Sequence, residues 1–157
     1  MTRTILAALL LSLTLFSHAA PSEPDADQVA VKAVLASYKS ALERRDLAGT
    51  EALFADENTV AESGKLEGSY LDYVAHHIGP ELGHFKRFAF SDYVVRVERV
   101  GDVAWATETY RYVIELNDRA EPIERQGLST TVLQRMEDGW KIRSMHSSSR
   151  APKPPTP

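Results

Sequence analysis

The chain has 157 residues, 18 Lys and Arg against 22 Asp and Glu, a formal net charge of −4, and no cysteine. Its basic residues are scattered (Arg44-Arg45, Lys86-Arg87, Arg96, Arg99), which excludes the continuous positive stripe needed to track nucleic-acid phosphates. Without cysteine there is no disulfide, no thiol chemistry and no cysteine-borne lipid anchor.

The elements begin with a leader. Arg3 gives a positive start, Ile5 to Phe16 an apolar run, and Ser17-His18-Ala19 a small-residue cleavage site, so residues 1–19 read as a secretory signal peptide. The run is short for a membrane span and is followed by the polar, proline-bearing stretch Pro21 to Asp27. Cleavage is expected after Ala19 and leaves residues 20–27 as a flexible N-terminal segment. One basic residue and no acid lie in 1–19, so the mature chain carries seventeen basic and twenty-two acidic residues, a formal −5. The expected location is the periplasm or the medium, with no membrane contact after cleavage.

Residues 28–150 form one domain of a size that can bury a core. Asp25 and Asp27 offer N-caps to a long amphipathic helix in which Val31, Val34, Leu35, Tyr38, Ala41 and Leu42 recur at helical spacing. Asp46 then caps a short second helix, Leu47 to Ala55. Thr59 to Glu67, turning at Ser63-Gly64, reads as a hairpin, and Gly68-Ser69 opens a third helix from Tyr70 to about Ile78 that Gly79-Pro80 kinks or ends. From His84 onward the apolar period becomes two. Residues 85–100, 102–116, 121–136 and 139–149 are long strands separated by Gly101-Asp102, Asn117-Asp118 and Asp138-Gly139, an antiparallel meander. The class is α+β: three N-terminal helices packed on a curved antiparallel sheet. Tyr38 on the long helix and Trp105 on the sheet are expected to bury against each other's elements. The proline-rich residues 151–157 form a disordered tail.

Histidines supply the chemical lead. His77 and Glu81 stand four apart, one turn along a helix face, where an imidazole and a carboxylate can share a cation. His76 joins them only if the Gly79-Pro80 break distorts the turn. On the last strand, alternation puts His146 on the face of Trp140 and Ile142, so it points inward if that face is concave. His76, His77, Glu81 and His146 are therefore the metal candidates, a nitrogen and oxygen set suited to zinc or copper. The spacing is not the His-Glu-x-x-His zinc-protease pattern, and there is no phosphate loop or Ser/His/Asp signature.

The order of elements, the turn Gly101-Asp102-Val103-Ala104 and the closing run Glu137-Asp138-Gly139-Trp140-Lys141-Ile142-Arg143-Ser144-Met145-His146-Ser147-Ser148 resemble the nuclear transport factor 2-like (SnoaL-like) superfamily, in its small secreted members. The resemblance implies a conical barrel with a pocket between sheet and helices, and a homodimer through the sheet's outer face. Its pocket lining would draw on Tyr38, Phe54, Tyr73, Phe90, Trp105 and Tyr110. It also implies that a pocket carboxylate can serve as general base beside a buried tyrosine, so His146 and either Asp92 or a tyrosine are the acid-base candidates. Phe88 to Val95 is apolar on both parities, so a bulge there would decide where Asp92 points. Three functions stay open: a domain binding a small apolar ligand or a divalent metal ion, a pocket enzyme of the isomerase or dehydratase type, and a non-catalytic association domain.

Overall fold

The computed structural model of the chain describes residues 25–153. The leader, most of the segment expected to be flexible and the last four residues lie outside the described residues. Helix α1 (Ala26–Arg44) starts where the sequence offers a cap, the Asp25 carboxylate accepting from the Asp27 N–H at 3.0 Å. It begins two residues before the expected domain boundary at 28, because Asp27 is held by Arg135 and by the Trp140 indole N–H at 3.3 Å. Val31, Leu35, Tyr38 and Ala41 form its buried face. The helix stops at Arg45, whose left-handed backbone (φ 57°) lets its N–H reach the Ala41 and Leu42 carbonyls.

The second expected helix is not formed. A single 3₁₀ turn, Thr50–Leu53, takes its place, and Phe54 and Ala55 already belong to strand β1 (Phe54–Glu62). Gly49 enters the turn at φ 77°, and Phe54 leaves it to stack on Tyr70 at 3.7 Å between ring centres, so ring packing wins over local propensity. Strand β2 (Lys65–Gly68) completes the hairpin.

The third expected helix runs past its predicted end. α2 (Tyr70–Tyr73) passes through a π turn (Val74–Ile78) into α3 (Gly79–His84) without a break. Gly79 donates to the Val74 carbonyl, and Pro80, which has no N–H, sits in the first turn of α3 where none is needed. The domain thus has two main helices, α1 and the composite one, in place of three.

Four long strands follow: β3 (Phe85–Val100), β4 (Val103–Leu116), β5 (Ile123–Met136) and β6 (Gly139–Arg150). They form the expected antiparallel meander. β1 adds to β6 in parallel, giving a mixed six-stranded sheet of order β2-β1-β6-β5-β4-β3. α1 and the composite helix cover its concave face, and Val60, Leu133, Ile142 and Val31 are fully buried between the layers.

Trp105 does not take part in that core. Strict alternation along β4 buries Ala104, Ala106 and Glu108 and turns Val103, Trp105 and Thr107 outward, leaving Trp105 39% exposed on the convex face. Tyr38 instead packs edge-on against Phe54 and Tyr70, at 5.7 and 5.9 Å. Ile142→Ala should therefore cost about 2–5 kcal/mol of stability and Trp105→Ala well under half of that. Equal shifts of the two denaturation midpoints would mean that β4 faces the other way.

Candidate functional site

Between the helices and the concave sheet lies a cavity of about 110 Å³. Its wall is largely aromatic. Phe88 and Phe90 from β3 and Tyr110 and Tyr112 from β4 pack ring on ring, Phe90 meeting Tyr110 edge-on at 5.2 Å. Gly127 stands opposite Tyr110 on β5, and any side chain there would overlap the tyrosine ring, so this glycine makes room for the wall. Tyr38 from α1 and Tyr73 from α2 close the other side.

Two carboxylates reach this wall on phenol hydrogen bonds. Glu108, 7% exposed, accepts from the Tyr93 hydroxyl at 2.5 Å and has a longer 3.5 Å contact from Thr131 Oγ1. Burial pushes its carboxyl above the ordinary range, against the lowering effect of those donors and of Lys39. Burial and the charge of Glu108 in turn raise the phenols of Tyr93 and Tyr110. Glu62, at the end of β1, accepts from the Tyr73 hydroxyl at 2.6 Å. β1 and β4 are three strand spacings apart, roughly 14 Å along the sheet and less across its curve.

His77 sits at the rim among carboxylates. Its Nε2 is 3.3 Å from Glu81 and 3.9 Å from Glu62, and its Nδ1 is 3.0 Å from Oε1 of Glu67, a buried oxygen with no aligned hydrogen-bond donor among the described residues. Burial opposes the charged imidazole, but the Glu67 contact and the charges of Glu62 and Glu81 outweigh it and raise His77. Glu81 is raised by burial, with His77 pulling the other way.

The sequence matches the model of the SnoaL-like domain over residues 31–152. The chain belongs to the SnoaL-like domain family. No curated protein matches the sequence. Solved structures share the fold. A candidate dehydratase of the nuclear transport factor 2-like family from Streptomyces avermitilis aligns with a TM-score of 0.70 at 19% identity, over 82% of this chain and 99% of its own. A candidate ketosteroid isomerase from Shewanella frigidimarina has a TM-score of 0.64 at 26% identity, over 76% and 94%. A hexachlorocyclohexane dehydrochlorinase from Novosphingobium barchaimii has 0.68 at 15%, over 80% and 88%.

Within this SnoaL-like domain the sequence-derived candidates divide. Tyr38, Tyr73, Phe90, Tyr110 and Glu81 line the cavity. His77 and Glu81 meet, as their spacing implied. His146 does not join them, because Arg143 is an extra residue in the ladder between Ile142 and Ser144. The alternation flips there, so Met145 and Ser147 face the cavity and His146 faces out. Asp92 is likewise outside: it forms a bulge with φ 51°, lies 74% exposed and pairs with Arg111 at 3.4 Å. Phe54 lies in the core beside Tyr70 and Trp105 on the convex face, neither lining the cavity, and His76 is exposed on the helix. Among the described residues no group of three or more His, Asp or Glu is placed to hold a metal ion.

The residues that sequence reasoning missed are Glu108, Tyr93 and Glu62. Parity could have found the first, since Glu108 shares a face with Tyr110 and Tyr112 on an unbroken strand. A raised folded-state pKa means that Glu108 holds its proton longer when folded, so stability is greatest at low pH and falls as pH rises from the ordinary carboxylate range through the raised value. Glu108→Gln has no proton to lose and removes that pH dependence. Urea unfolding over a pH series should show wild type losing stability relative to Glu108→Gln as pH rises, and parallel curves would contradict an elevated Glu108.

Proposed function

We propose that this SnoaL-like domain is a pocket enzyme that moves a proton on a small, largely apolar substrate, by elimination or by double-bond isomerisation. The observation that carries the reading is Glu108: a buried carboxyl facing a ring-walled cavity, held by one phenol and open to a ligand. A cavity of about 110 Å³ suits a substrate near the size of one ring. In the ionised state Glu108 takes a proton from a ligand C–H, and the electron pair becomes a new double bond. As that bond forms a leaving group departs with its own electron pair, or, in a ligand with a conjugated double bond, the electrons shift along it and the same carboxyl returns the proton at another carbon. Tyr93 holds the carboxylate in place, and the raised phenol of Tyr110 stays protonated and able to donate to developing negative charge, whereas the one hydroxyl proton of Tyr73 is used on Glu62. The dehydratase, isomerase and dehydrochlorinase names of the structural relatives support this class of chemistry.

An organic ligand fits the cavity better than a metal, since the wall is largely aromatic and, among the described residues, no group of three or more His, Asp or Glu is placed to hold a metal ion. The leader-like residues 1–19 support a site of action outside the cytoplasm. The exposed apolar row of Trp105, Leu128 and Val132 on the convex face supports a homodimer.

A compact, flat carbon acid that can extend from the wall to the open rim tests the chemistry without knowledge of the natural substrate. With 5-nitrobenzisoxazole, Glu108 would remove the ring C–H proton, the electron pair would form a nitrile, and the N–O bond would break to release a phenolate that absorbs visible light. Wild type should exceed Glu108→Gln by about 100-fold or more. Equal rates in the two proteins would remove Glu108 from the proposal.

A further inference from the structure

The cavity is short of positive charge. Among the described residues four charged side chains line it, and three are carboxylates: Glu62, Glu81 and Glu108 against Lys39. Lys39 is itself engaged by Glu43 at 3.3 Å. At the rim a single imidazole, His77, faces Glu62, Glu67 and Glu81, with Lys65 adding one cation to Glu67 at 2.8 Å. Even with His77 protonated, three carboxylates there meet two cations.

The rings of the wall already receive a cation. The Lys39 ammonium lies 5.6 Å from the Phe90 centroid and 5.3 Å from that of Tyr93, within the range where the negative face of an aromatic ring attracts positive charge. The phenols register the same field. Burial is the first cause of their elevation, and carboxylate charge adds to it, from Glu108 on Tyr93 and Tyr110 and from Glu62 on Tyr73. Such a cavity repels an anion and leaves a neutral ligand with no compensation for its carboxylates. A ligand with one positive charge relieves both costs.

We propose that the ligand of this cavity is a monocation, a ring bearing a protonated amine, with the ring among Phe88, Phe90 and Tyr110 and the ammonium at Glu62 and Glu81. The exposure gradient sets this orientation: the side chains of Glu62 and Glu81 are 30% and 52% exposed at the rim, whereas Glu108 is enclosed beside the rings. An ammonium at the rim keeps part of its hydration and uses its donors on the two carboxylates. The proposal rests on the cavity being the functional site, as the proton-transfer reading holds, and names the class of molecule that the site accepts. It also agrees with that chemistry, because loss of a C–H proton from a cation leaves an intermediate of zero net charge, so no net negative charge builds up among the carboxylates.

Calorimetric titration of the wild-type protein with 2-phenylethylamine (protonated at neutral pH), 2-phenylethanol and 2-phenylacetate separates charge from shape. The amine should bind about tenfold or more tightly than the alcohol, with the carboxylate weakest. Glu62→Gln and the half-exposed Glu81→Gln should each remove most of the amine's advantage and leave the alcohol's affinity unchanged. An alcohol that equals the amine, a carboxylate that exceeds it, no binding by any of the three, or an amine preference that survives in both variants overturns the proposal. Loss of the amine preference alongside an intact Glu108-dependent elimination overturns the cation and leaves proton transfer standing. The reverse result removes proton transfer and leaves the cation.

Discussion

A strand side chain changes faces when its strand gains a residue that the neighbouring strand does not, and β3 and β6 do this three times. Between Phe85 and Arg87 the shift brings Phe88 and Phe90 inward. Between Ser91 and Val94 the Asp92 bulge turns the phase back and brings in Tyr93. At Arg143 it turns Met145 and Ser147 in and His146 out. Without the two insertions in β3, strict alternation would turn Phe88 and Phe90 to the face opposite Phe85 and Tyr93 and split the aromatic wall. The bulges also bend the strands, which lets a six-stranded sheet curl around a cavity while its helices stay packed.

From that curvature comes the site's chemistry. A carboxylate at the centre of a flat, solvated sheet face would be an ordinary acid. Glu108 is enclosed by rings on a concave surface, and the cost of keeping its charge there is met only in part by the Tyr93 hydroxyl. A base that holds its proton more firmly than a solvated carboxylate is better matched to work near neutral pH. The same enclosure concentrates the charge of the cavity's carboxylates, so the proposed acid-base role and the proposed preference for a cation share one physical origin.

Much of the architecture was legible because it depends on pattern. The long helix, the hairpin, the four strands and the turns at Gly101, Asn117 and Gly139 all follow from apolar period and turn chemistry. The short helix over Leu47 to Ala55 failed because Phe54 is recruited by Tyr70, a partner sixteen residues away. The Tyr70 helix ran on past Gly79-Pro80 because a π turn absorbs the missing donor, which local breaker rules do not describe. Site residues were less legible. His146 and Asp92 were placed by alternation that a single inserted residue reverses, and the insertion at Arg143 has no glycine or proline to mark it. Glu108 was open to the same alternation, unbroken along β4 from Trp105 to Tyr112, but a charged residue on a strand reads as solvent-facing.

The central claim is that Glu108 is an enclosed carboxyl held by Tyr93. Carbon-13 NMR of the glutamate side-chain carboxyls across a pH titration tests it directly, with Glu108→Gln to identify the signal. The account predicts that the resonance lost in Glu108→Gln titrates above the ordinary carboxylate range in wild type and moves higher still in Tyr93→Phe, where the charged form loses its donor. A Glu108 resonance titrating with the solvated glutamates, unmoved by Tyr93→Phe, would contradict it.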